Sequence, residues 1–418
     1  MSKIGIVGAG LSGLAIANNI KNAVVFESES RPGGLLRTDT IEGYTFDTGG
    51  SHIIFSKDDE TLFEMLATIG NYVEHRRRTF IFYNNQFIKY PFENGISMLP
   101  AEERFQILKD FVENMIREKK EPENLLEWFY YVFGREITDR YLKPYNEKIW
   151  KRNLEEISLD WVGGRVPNPP VDDILRSAVG IETEGYTHQL RFFYPLKGGI
   201  ETLAKSLAEK VDVRVSEGVR KIEIGEGEVV VETTRGQYEF DKLVYTAPLT
   251  HLPKIMDCDE IEGEIQKLDY NSLTVVGLGI KDRVPNFHWL YFPQSDIIFH
   301  RIAFLSNYSP YMAPDGCSTI IAEISRKPGE KISNICERVI GDLIDVGFDF
   351  NVEVCRAWEW EHAYVVYNHH YRKAVEKIRV YLREKNIIPF GRFGGWGYLN
   401  MDAVMAQAKA LARNIVRT

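Results

Sequence analysis

The first 27 residues contain the pattern that most restricts the fold of this chain: a glycine-rich turn between two short apolar runs. The run KIGIV at 3–7 is followed by GAGLSG at 8–13 and by small residues to about Ile20. A second apolar run at 23–26 ends at Glu27, 14 residues after the last glycine of the turn. Strand, turn, helix, strand and acid therefore follow one another as in a βαβ unit that binds a dinucleotide.

Each position of this turn has a physical role in such a unit. Gly8 permits the tight turn, Gly10 lets the backbone approach a pyrophosphate, and Gly13 lets helix and strand pack closely. The backbone N–H groups at the start of the helix, at Leu11 and Ser12, would donate to the phosphates. An acid such as Glu27 accepts hydrogen bonds from ribose hydroxyls, which favours FAD or NAD over NADP. A glycine-rich turn without a ligand is the alternative.

Composition excludes several classes of partner. Lysine plus arginine is 51 and aspartate plus glutamate is 60, so the net charge is 51 − 60 = −9. An acidic chain is a poor partner for nucleic acid or an anionic membrane surface. No apolar stretch reaches the ~18 residues of a membrane span, so none is predicted. The paired His369 and His370 have no third ligand nearby, and no metal site is predicted.

The cysteines are Cys258, Cys317, Cys336 and Cys355, and none forms a CxxC pair. Their spacing suits neither a zinc site nor a dense disulfide framework. A reduced intracellular compartment is the simplest interpretation, and a cytoplasmic location is expected. The N-terminal apolar run could pass for a signal peptide, but its glycine spacing is better explained by the nucleotide-binding turn.

Two later segments favour FAD over NAD. The sequence RPGGLLRT at 31–38 is a second glycine turn directly after the acid. The sequence GVRKI at 218–222 leads into an alternating apolar stretch and then into DKLVYTAP at 241–248. These segments resemble parts of the FAD domain in the amine oxidase superfamily. The resemblance implies that the second turn lies against the FAD diphosphate and that the Val219 backbone reads the adenine.

The chain is expected to form three parts. Cofactor-binding elements occur at 1–75, 195–265 and 385–418, which predicts a discontinuous FAD-binding domain. Residues 76–194 are predicted to be mainly helical, with LPAEERFQILKDFVENMIREKK at 99–120 as the clearest amphipathic stretch. Residues 266–384 are predicted to form an antiparallel-sheet substrate domain, because several runs there alternate or are apolar throughout. The last helix is predicted from Asp402 to about Val416.

Further motifs, spread along the whole chain, resemble one family in order. They are FDTGGSHIIFS at 46–56, YPFENGISMLP at 90–100, PYNEKIW at 144–150, WVGGRV at 161–166, WLYFP at 289–293, FHR at 299–301, SNYSPY at 306–311 and GRFGGWGY at 391–398. They are similar to segments of UDP-galactopyranose mutases, closest to the eukaryotic-type branch, within the FAD-dependent amine oxidase and protoporphyrinogen oxidase superfamily. The resemblance implies an α/β fold of the GR2 flavoprotein type. Such a fold has a Rossmann-like FAD-binding domain, an inserted helical domain and an antiparallel β-sheet substrate domain.

The resemblance also implies an activity: a redox-neutral mutase that interconverts pyranose and furanose forms of a UDP-sugar, most simply galactose. In that mechanism N5 of reduced FAD attacks the anomeric carbon and UDP departs. A flavin–sugar iminium forms, the sugar ring opens and recloses, and UDP reattaches. NADPH or NADH is the expected reductant, the UDP-sugar is the expected partner, and a homo-oligomer is left open. The chemistry rests on the cofactor, while the protein supplies positioning and electrostatics.

The resemblance assigns roles residue by residue. The catalytic set is His52 at the flavin with Arg165 and Arg301, two arginines that clamp the UDP diphosphate. The substrate-binding set is Tyr90, Phe92, Tyr145, Asn146, Trp150, Gln189, Tyr291, Tyr308, Tyr364 and Tyr398. The cofactor-binding set is Gly8, Gly10, Leu11, Ser12, Gly13, Glu27, Ser28, Gly33, Gly34, Leu35, Gly50, Ser51, His52, Val219, Gly391, Arg392, Tyr398, Leu399, Asn400 and Met401. Arginine suits the clamp because its fork of N–H groups pairs with diphosphate oxygens.

Some positions depart from the family pattern. Glu93 stands where the family has glutamine, Ser51 is an extra residue before His52, and YLNMD at 398–402 is of the bacterial type. These differences affect the identity of the sugar more than the reaction class. Two other functions are open: an FAD-dependent oxidoreductase of the amine oxidase, protoporphyrinogen oxidase or desaturase type, and a flavin-bound protein that has lost catalysis and binds nucleotides. An arginine such as Arg301 could also be no more than a salt-bridge partner.

Overall fold

A computed structural model describes residues 3–163, 170–184 and 190–417 of the chain. The strands are β1 (Ile4–Val7), β2 (Ala23–Phe26), β3 (Thr38–Ile41), β4 (Tyr44–Asp47), β5 (Tyr72–Arg76), β6 (Thr79–Tyr83), β7 (Gln86–Lys89), β8 (Arg191–Pro195), β9 (Asp212–Arg214), β10 (Val219–Ile224), β11 (Val229–Thr233), β12 (Gln237–Phe240), β13 (Lys242–Tyr245), β14 (Asp269–Ile280), β15 (Trp289–Tyr291), β16 (Arg301–Phe304), β17 (Ser318–Arg326), β18 (Val352–Val366) and β19 (Ile387–Pro389).

Helices connect these strands and cover the sheets. They are α1 (Leu11–Ala17), α2 (Asp59–Ile69), α3 (Phe92–Gly95), α4 (Ala101–Ile116), α5 (Leu125–Ile137), α6 (Lys143–Trp150), α7 (Val171–Ala178), α8 (Glu201–Ala208), α9 (Asp259–Ile265), α10 (Ile335–Asp345), α11 (Tyr371–Glu384), α12 (Gly391–Gly394) and α13 (Met401–Arg417). Within the described ranges, none of the helices combines the length and apolar composition that crossing a membrane requires.

The predicted nucleotide-binding unit lies at the centre of a five-stranded parallel sheet. The strand order is β19-β13-β1-β2-β9, so β1 is flanked by β2 and β13. All four residues of β1 are buried, as expected of a strand covered on both faces of a parallel sheet. Helices α1 and α13 pack together against this sheet and share one apolar core with α2 and α8. The Rossmann-like part of the predicted α/β fold is confirmed.

A seven-stranded sheet forms the second large layer, with the order β18-β14-β17-β16-β15-β6-β7. Its pairs are antiparallel except for the parallel pair of β15 with β6. Strands β6 and β7, from residues 79–89, therefore extend the sheet that the later strands begin. The helices α3 to α7 enclose a separate aromatic core beside it. The predicted α/β fold, with a helical part and a mainly antiparallel sheet, is confirmed.

Two features of this layer differ from the sequence prediction. Residues 266–384 were expected to form an antiparallel sheet, but they also contain α10 and α11, which cover the sheet and the parallel layer. Cys336 on α10 and Cys355 on β18 form a disulfide, while Cys258 and Cys317 are free. The expectation of a reduced compartment did not anticipate this pair, because two cysteines 19 residues apart, on a helix and on the strand that follows it, form no recognisable sequence motif.

Candidate functional site

The first glycine turn has the geometry that its residue types predict. Gly8 adopts a φ of +97°, which side-chain-bearing residues rarely reach. A Cβ on Gly13 would overlap the carbonyl oxygen of Gly8, so only glycine allows α1 to approach β1 this closely. A Cβ on Gly10 would meet no atom within 4 Å, because this residue faces open space. The backbone at the start of α1 is thus accessible to a ligand.

Glu27 at the end of β2 stabilises this turn. Its carboxylate accepts hydrogen bonds from the backbone N–H of Ala9, at 2.9 Å, and of Glu29, also at 2.9 Å. The side chain is buried but still contributes to the wall of a large cavity. A carboxylate that accepts two backbone N–H groups is held rigidly, and its remaining lone pairs can receive hydroxyl groups of a ligand.

The second glycine turn folds back onto the first. Gly33, with a φ of +120°, donates its N–H to the carbonyl oxygen of Ala9 at 2.8 Å, and Gly34 follows with a φ of +54°. A Cβ on Gly34 would lie 3.3 Å from the Cα of Gly10. Two glycine-rich turns separated in sequence therefore form one surface of backbone atoms. Such a surface suits a diphosphate, which bulky side chains would keep at a distance.

A cavity of about 900 Å³ extends from these turns to the seven-stranded sheet. Of the predicted cofactor-binding residues, it is lined by Gly8, Gly10, Leu11, Ser12, Glu27, Ser28, Gly33, Gly34, Leu35, Ser51, His52, Arg392, Tyr398, Leu399, Asn400 and Met401. Of the predicted catalytic and substrate-binding residues, it is lined by His52, Arg301, Tyr291, Tyr364 and Tyr398. The other predicted residues that the structure describes lie outside its wall: Gly13, Gly50, Val219, Gly391, Tyr90, Phe92, Tyr145, Asn146, Trp150 and Tyr308.

Two buried guanidinium nitrogens on this wall are candidates to hold a bound group. The Nε atoms of Arg37 and Arg392 are buried and have no hydrogen-bond partner among the described residues. Arg392 also lies over the ring of Tyr398, with its Cζ 4.3 Å from the ring centroid. Buried donors normally have partners, so an acceptor-rich ligand in the cavity would satisfy both. The donor set and the glycine surface fit the phosphates and ring oxygens of FAD.

Arg301, at the start of β16, is held at the sheet end of the cavity by Glu323 on β17. Its Nε and Nη2 donate to the two carboxylate oxygens of Glu323 at 2.9 and 2.6 Å. Burial opposes the charged guanidinium, but the Glu323 carboxylate outweighs this effect and raises the pKa of Arg301 well above its usual value. The Nη1 group has no partner among the described residues. Arg301 is therefore both a salt-bridge partner and a fixed cation with one edge left for a ligand.

Glu323 also binds the loop that carries His52. Its Oε1 accepts the backbone N–H of Ser51 at 2.8 Å, and its Oε2 lies 3.5 Å from the hydroxyl of Tyr364. Ser51 in turn lies 2.7 Å from the hydroxyl of Tyr308 through its Oγ. One buried carboxylate thus joins the predicted flavin-facing loop to Arg301. The extra residue Ser51 provides two of these contacts.

His52 is neutral at physiological pH. Burial, with Arg392 and Arg301 nearby, lowers the pKa of His52 to about 4. Its Nδ1 lies 3.0 Å from the carbonyl oxygen of Gly50, which can only accept, so Nδ1 carries the proton. The Nε2 atom then has a free lone pair. A neutral imidazole on the cavity wall can accept a hydrogen bond at this atom.

An aromatic series continues from the cavity into the helical part. The ring of Tyr291 lies 4.8 Å from that of Tyr90 and 5.2 Å from that of Tyr145. Tyr145 stacks on Tyr141, and Tyr141 in turn stacks on Phe92. Phe92, Asn146 and Trp150 are buried within this core. Burial raises the pKa of Tyr145 and of Tyr364 well above the usual range. Both hydroxyls stay protonated and can donate.

Glu93 follows this series on α3 and has an unusual environment. Burial raises the pKa of Glu93 to about 7, and the carboxylate of Asp173 on α7 adds to this effect. The structure places Glu93 partly buried beside another acid. The predicted Arg165 and Gln189 lie outside the described residues.

The sequence interpretation missed Glu323. A signal was present, because the glutamate interrupts the apolar strand STIIAEISR at 318–326, and a charge in a fully buried strand requires a partner. Trp289, in the motif WLYFP, is buried and also lines the cavity.

Comparisons with known proteins agree with this geometry. The family model for flavin-containing amine oxidoreductases matches residues 11–345. Polyamine oxidase 4 of Oryza sativa subsp. japonica is 23% identical over 317 residues, which cover 70% of this chain and 60% of that protein. Protoporphyrinogen oxidase 2, chloroplastic/mitochondrial, of Arabidopsis thaliana is 27% identical over 168 residues, which cover 34% of this chain and 31% of that protein. The matches thus span less than two thirds of these curated relatives.

Among solved structures, a crystal structure of reduced UDP-galactopyranose mutase has a TM-score of 0.92 to this chain. The two sequences are 26% identical, and the match covers 100% of this chain and 96% of that chain. The likeness thus includes the parallel sheet, the helical part and the seven-stranded sheet together.

Proposed function

The chain belongs to the flavin-containing amine oxidoreductase family, and from this premise we propose that it is an FAD-dependent mutase acting on a UDP-sugar. The reaction would interconvert the pyranose and furanose forms of UDP-galactose. The observation that carries the proposal is the fixed cation Arg301, held by Glu323 on the same cavity wall as His52. An oxidase acting on an uncharged or cationic substrate has no evident use for such a cation, whereas a diphosphate leaving group needs one. The whole-chain likeness to reduced UDP-galactopyranose mutase supports the same assignment.

When bound and reduced, FAD would supply the nucleophile at its N5 atom. The two glycine turns and Glu27 would hold its diphosphate and ribose, with Arg37 and Arg392 as further donors. The Nη1 edge of Arg301 and the hydroxyls of Tyr291 and Tyr364 would hold the sugar-linked diphosphate. Each such charge-assisted hydrogen bond is worth ~1.5–3 kcal/mol, enough to hold an anion in an acidic protein. The predicted partner cation Arg165 belongs to the same proposal.

His52 would orient the reacting groups without charge of its own. Its protonated Nδ1 donates to the carbonyl oxygen of Gly50, so its Nε2 would accept a hydrogen bond from a donor in the cavity. A neutral imidazole avoids placing another cation beside Arg301 and Arg392. The remaining predicted roles, including those of the aromatic residues outside the cavity wall, are part of the proposal. Four further points stay predictions: the nicotinamide reductant, the homo-oligomer, the cytoplasmic location and the absence of a nucleic-acid partner.

The test is an anaerobic assay in which chromatography measures the conversion of UDP-galactofuranose to UDP-galactopyranose. We expect turnover by dithionite-reduced protein and almost none by the oxidised protein. Turnover that is equal in both states, or absent in both, would contradict the proposal.

An oxidoreductase is the second candidate, because the polyamine oxidase match covers 70% of the chain. It predicts that an amine or a porphyrinogen bleaches the oxidised flavin and consumes oxygen. The two candidates are separated by running both assays on one preparation.

A further inference from the structure

A second cavity, of about 810 Å³, lies behind α6 and shares no lining residue with the cofactor cavity. Its walls come from α6, from the loop that follows β15, from the end of β17 and from the segment leading into α10. Helix α6 separates the two sites, since Lys148 faces this cavity while Tyr145 contacts Tyr291 on the wall of the other. The proposed mutase reaction makes no use of this space.

Two lysines on its wall are desolvated and have no ion-pair partner among the described residues. The Nζ of Lys148 donates to the carbonyl oxygens of Phe292 and Gln294 at 2.9 and 2.7 Å, which leaves one N–H for a further acceptor. Burial, and next the charge of Lys151, lower the pKa of Lys148 to about 7. Burial also lowers the pKa of Lys151. Nearby carboxylates act in the opposite direction, Glu330 on Lys151 and Asp296 on Lys148, but burial still dominates at both lysines. A dianion beside the two lysines would stabilise the charged form of each.

The other charged groups on the wall are mixed in sign. Arg140 is already paired with Glu103 and Glu136, whereas Arg338 on α10 is exposed at the rim. Glu147, Asp296 and Glu330 are carboxylates that can only accept hydrogen bonds when ionised. A bare phosphate would not use these acceptors.

Gln294 adds a further acceptor at the same place. Its Nε2 donates to the carbonyl oxygen of Phe82 at 2.8 Å, which fixes the orientation of the amide. Its Oε1 is buried and has no hydrogen-bond partner among the described residues. A buried acceptor without a donor is rare and costs about 1–3 kcal/mol. A ligand that brings hydroxyl groups would satisfy it.

From this arrangement we propose that the second cavity is a binding site for a sugar phosphate. Lys148 and Lys151 hold the phosphate, with Arg338 at the rim. The ligand hydroxyls donate to Gln294 and to the wall carboxylates.

The test is calorimetric titration of the flavin-loaded protein with glucose 6-phosphate, compared with glucose and with inorganic phosphate. We expect one site per chain, with weaker binding of phosphate and no measurable binding of glucose. Lys151→Gln should weaken binding about 10-fold or more, the usual loss for one charge-assisted hydrogen bond. The side chain of Lys151 makes no hydrogen bond in the described part of the chain, and its backbone N–H bond to the carbonyl oxygen of Glu147 is kept in the variant, so Lys151→Gln should fold normally. Lys148→Arg, which keeps the charge, tests the second lysine.

Two controls separate this site from the rest of the molecule. Lys221→Gln removes an exposed lysine on β10, and binding should be unchanged. Arg301→Ala removes the cation of the cofactor cavity, and binding should again be unchanged, as it should in the presence of saturating UDP. The proposal is overturned if glucose 6-phosphate does not bind, if Lys151→Gln has no effect, or if UDP or Arg301→Ala abolishes binding. No outcome depends on turnover, so failure of the mutase assay leaves this result interpretable.

Discussion

At the scale of single residues, Glu323 joins several parts of the candidate site through hydrogen bonds and an ion pair. It is fully buried, pairs with Arg301 through both carboxylate oxygens and accepts the backbone N–H of Ser51. A buried charge pair is favourable only while both members are present. Glu323 is therefore a positioning residue, which acts through the orientation of Arg301 and of the loop carrying His52.

Glu323→Gln should reduce kcat of the proposed mutase reaction by about 10- to 100-fold, the equivalent of one lost charge-assisted hydrogen bond. The glutamine amide keeps the shape but loses the charge and one acceptor, so Arg301 is less well oriented. Steady-state kinetics and UDP binding measure the effect. Glu359→Gln, a change of an exposed glutamate on the same cavity wall, is the matched control. Equal kinetics in the wild type and in Glu323→Gln would show that Glu323 has no positioning role.

Glu93→Gln should increase stability at pH 8 and leave it unchanged at pH 4. Because the folded-state pKa of Glu93 is raised to about 7, above its ordinary value of 4.5, its contribution is largest below pH 4.5. That contribution is lost as the pH rises to 7, when the ionised carboxylate faces Asp173. Urea midpoints at both pH values test this, with the exposed Glu118→Gln as control. A variant that is less stable than the wild type at pH 8 would contradict it.

At the scale of elements, the βαβ unit depends on contacts too close for any side chain. Gly13 places α1 directly over the carbonyl oxygen of Gly8, and the second glycine turn packs against Gly10. At the other end of the site, Asn271 on β14 donates to the carbonyl oxygens of Ile149 and Trp150, both at 2.8 Å, and so satisfies the C-terminus of α6. The site is thus assembled by helix ends fixed to neighbouring strands.

Gly13→Ala should lower the flavin content of the purified protein to well below half and reduce its Tm. The added methyl group overlaps the Gly8 carbonyl, so α1 must move away from the turn. The flavin-to-protein absorbance ratio and thermal unfolding measure this. Gly263→Ala on α9, where a Cβ meets no atom within 4 Å, should keep full flavin content. Normal flavin content in Gly13→Ala would refute this packing role.

At the scale of the whole molecule, several histidines are buried in their neutral form. Burial, followed by the charge of Arg78, lowers the pKa of His288 to about 2. Burial, followed by His251, lowers the pKa of His362 to about 3. The unfolded chain binds a proton at each of these residues near pH 6.5. Their contribution to stability is therefore present above pH 6.5 and is lost as the pH falls towards the folded-state pKa.

His362→Gln should make stability less sensitive to acid. Between pH 7.5 and pH 5, protonation of this histidine in the unfolded state lowers the free energy of unfolding of the wild type by about 2 kcal/mol. The variant lacks this protonation, so its free energy of unfolding does not fall by this amount. Glutamine can still reach Thr250, the hydrogen-bond partner of His362. Urea unfolding of both proteins at the two pH values gives the comparison, and an identical pH dependence would contradict the assignment. His370→Gln, at an exposed histidine, is the control.

The sequence by itself determined the elements whose chemistry is local. The glycine spacing at 8–13 and the acid at Glu27 predicted β1, α1 and β2, because a turn that contacts a diphosphate admits only glycine. Helix α11 could also have been found, since Ala374, Val375, Ile378 and Leu382 repeat at helical spacing and are buried. The family motifs brought Arg301, His52, Tyr291, Tyr364 and Arg392 into consideration, and the structure places all of them on one cavity wall.

Only the tertiary structure decided which groups are paired and which are left for a ligand. The pairing of Arg301 with Glu323, 22 residues along the chain on an adjacent strand, follows from sheet register. The disulfide of Cys336 with Cys355 and the partial burial of Glu93 beside Asp173 likewise depend on elements that meet only after folding. Electrostatic environment is set by burial and by neighbours in space, and neither can be read from residue order. The sequence thus identified the chemical groups, and the fold set their charge states and the edge that Arg301 leaves free.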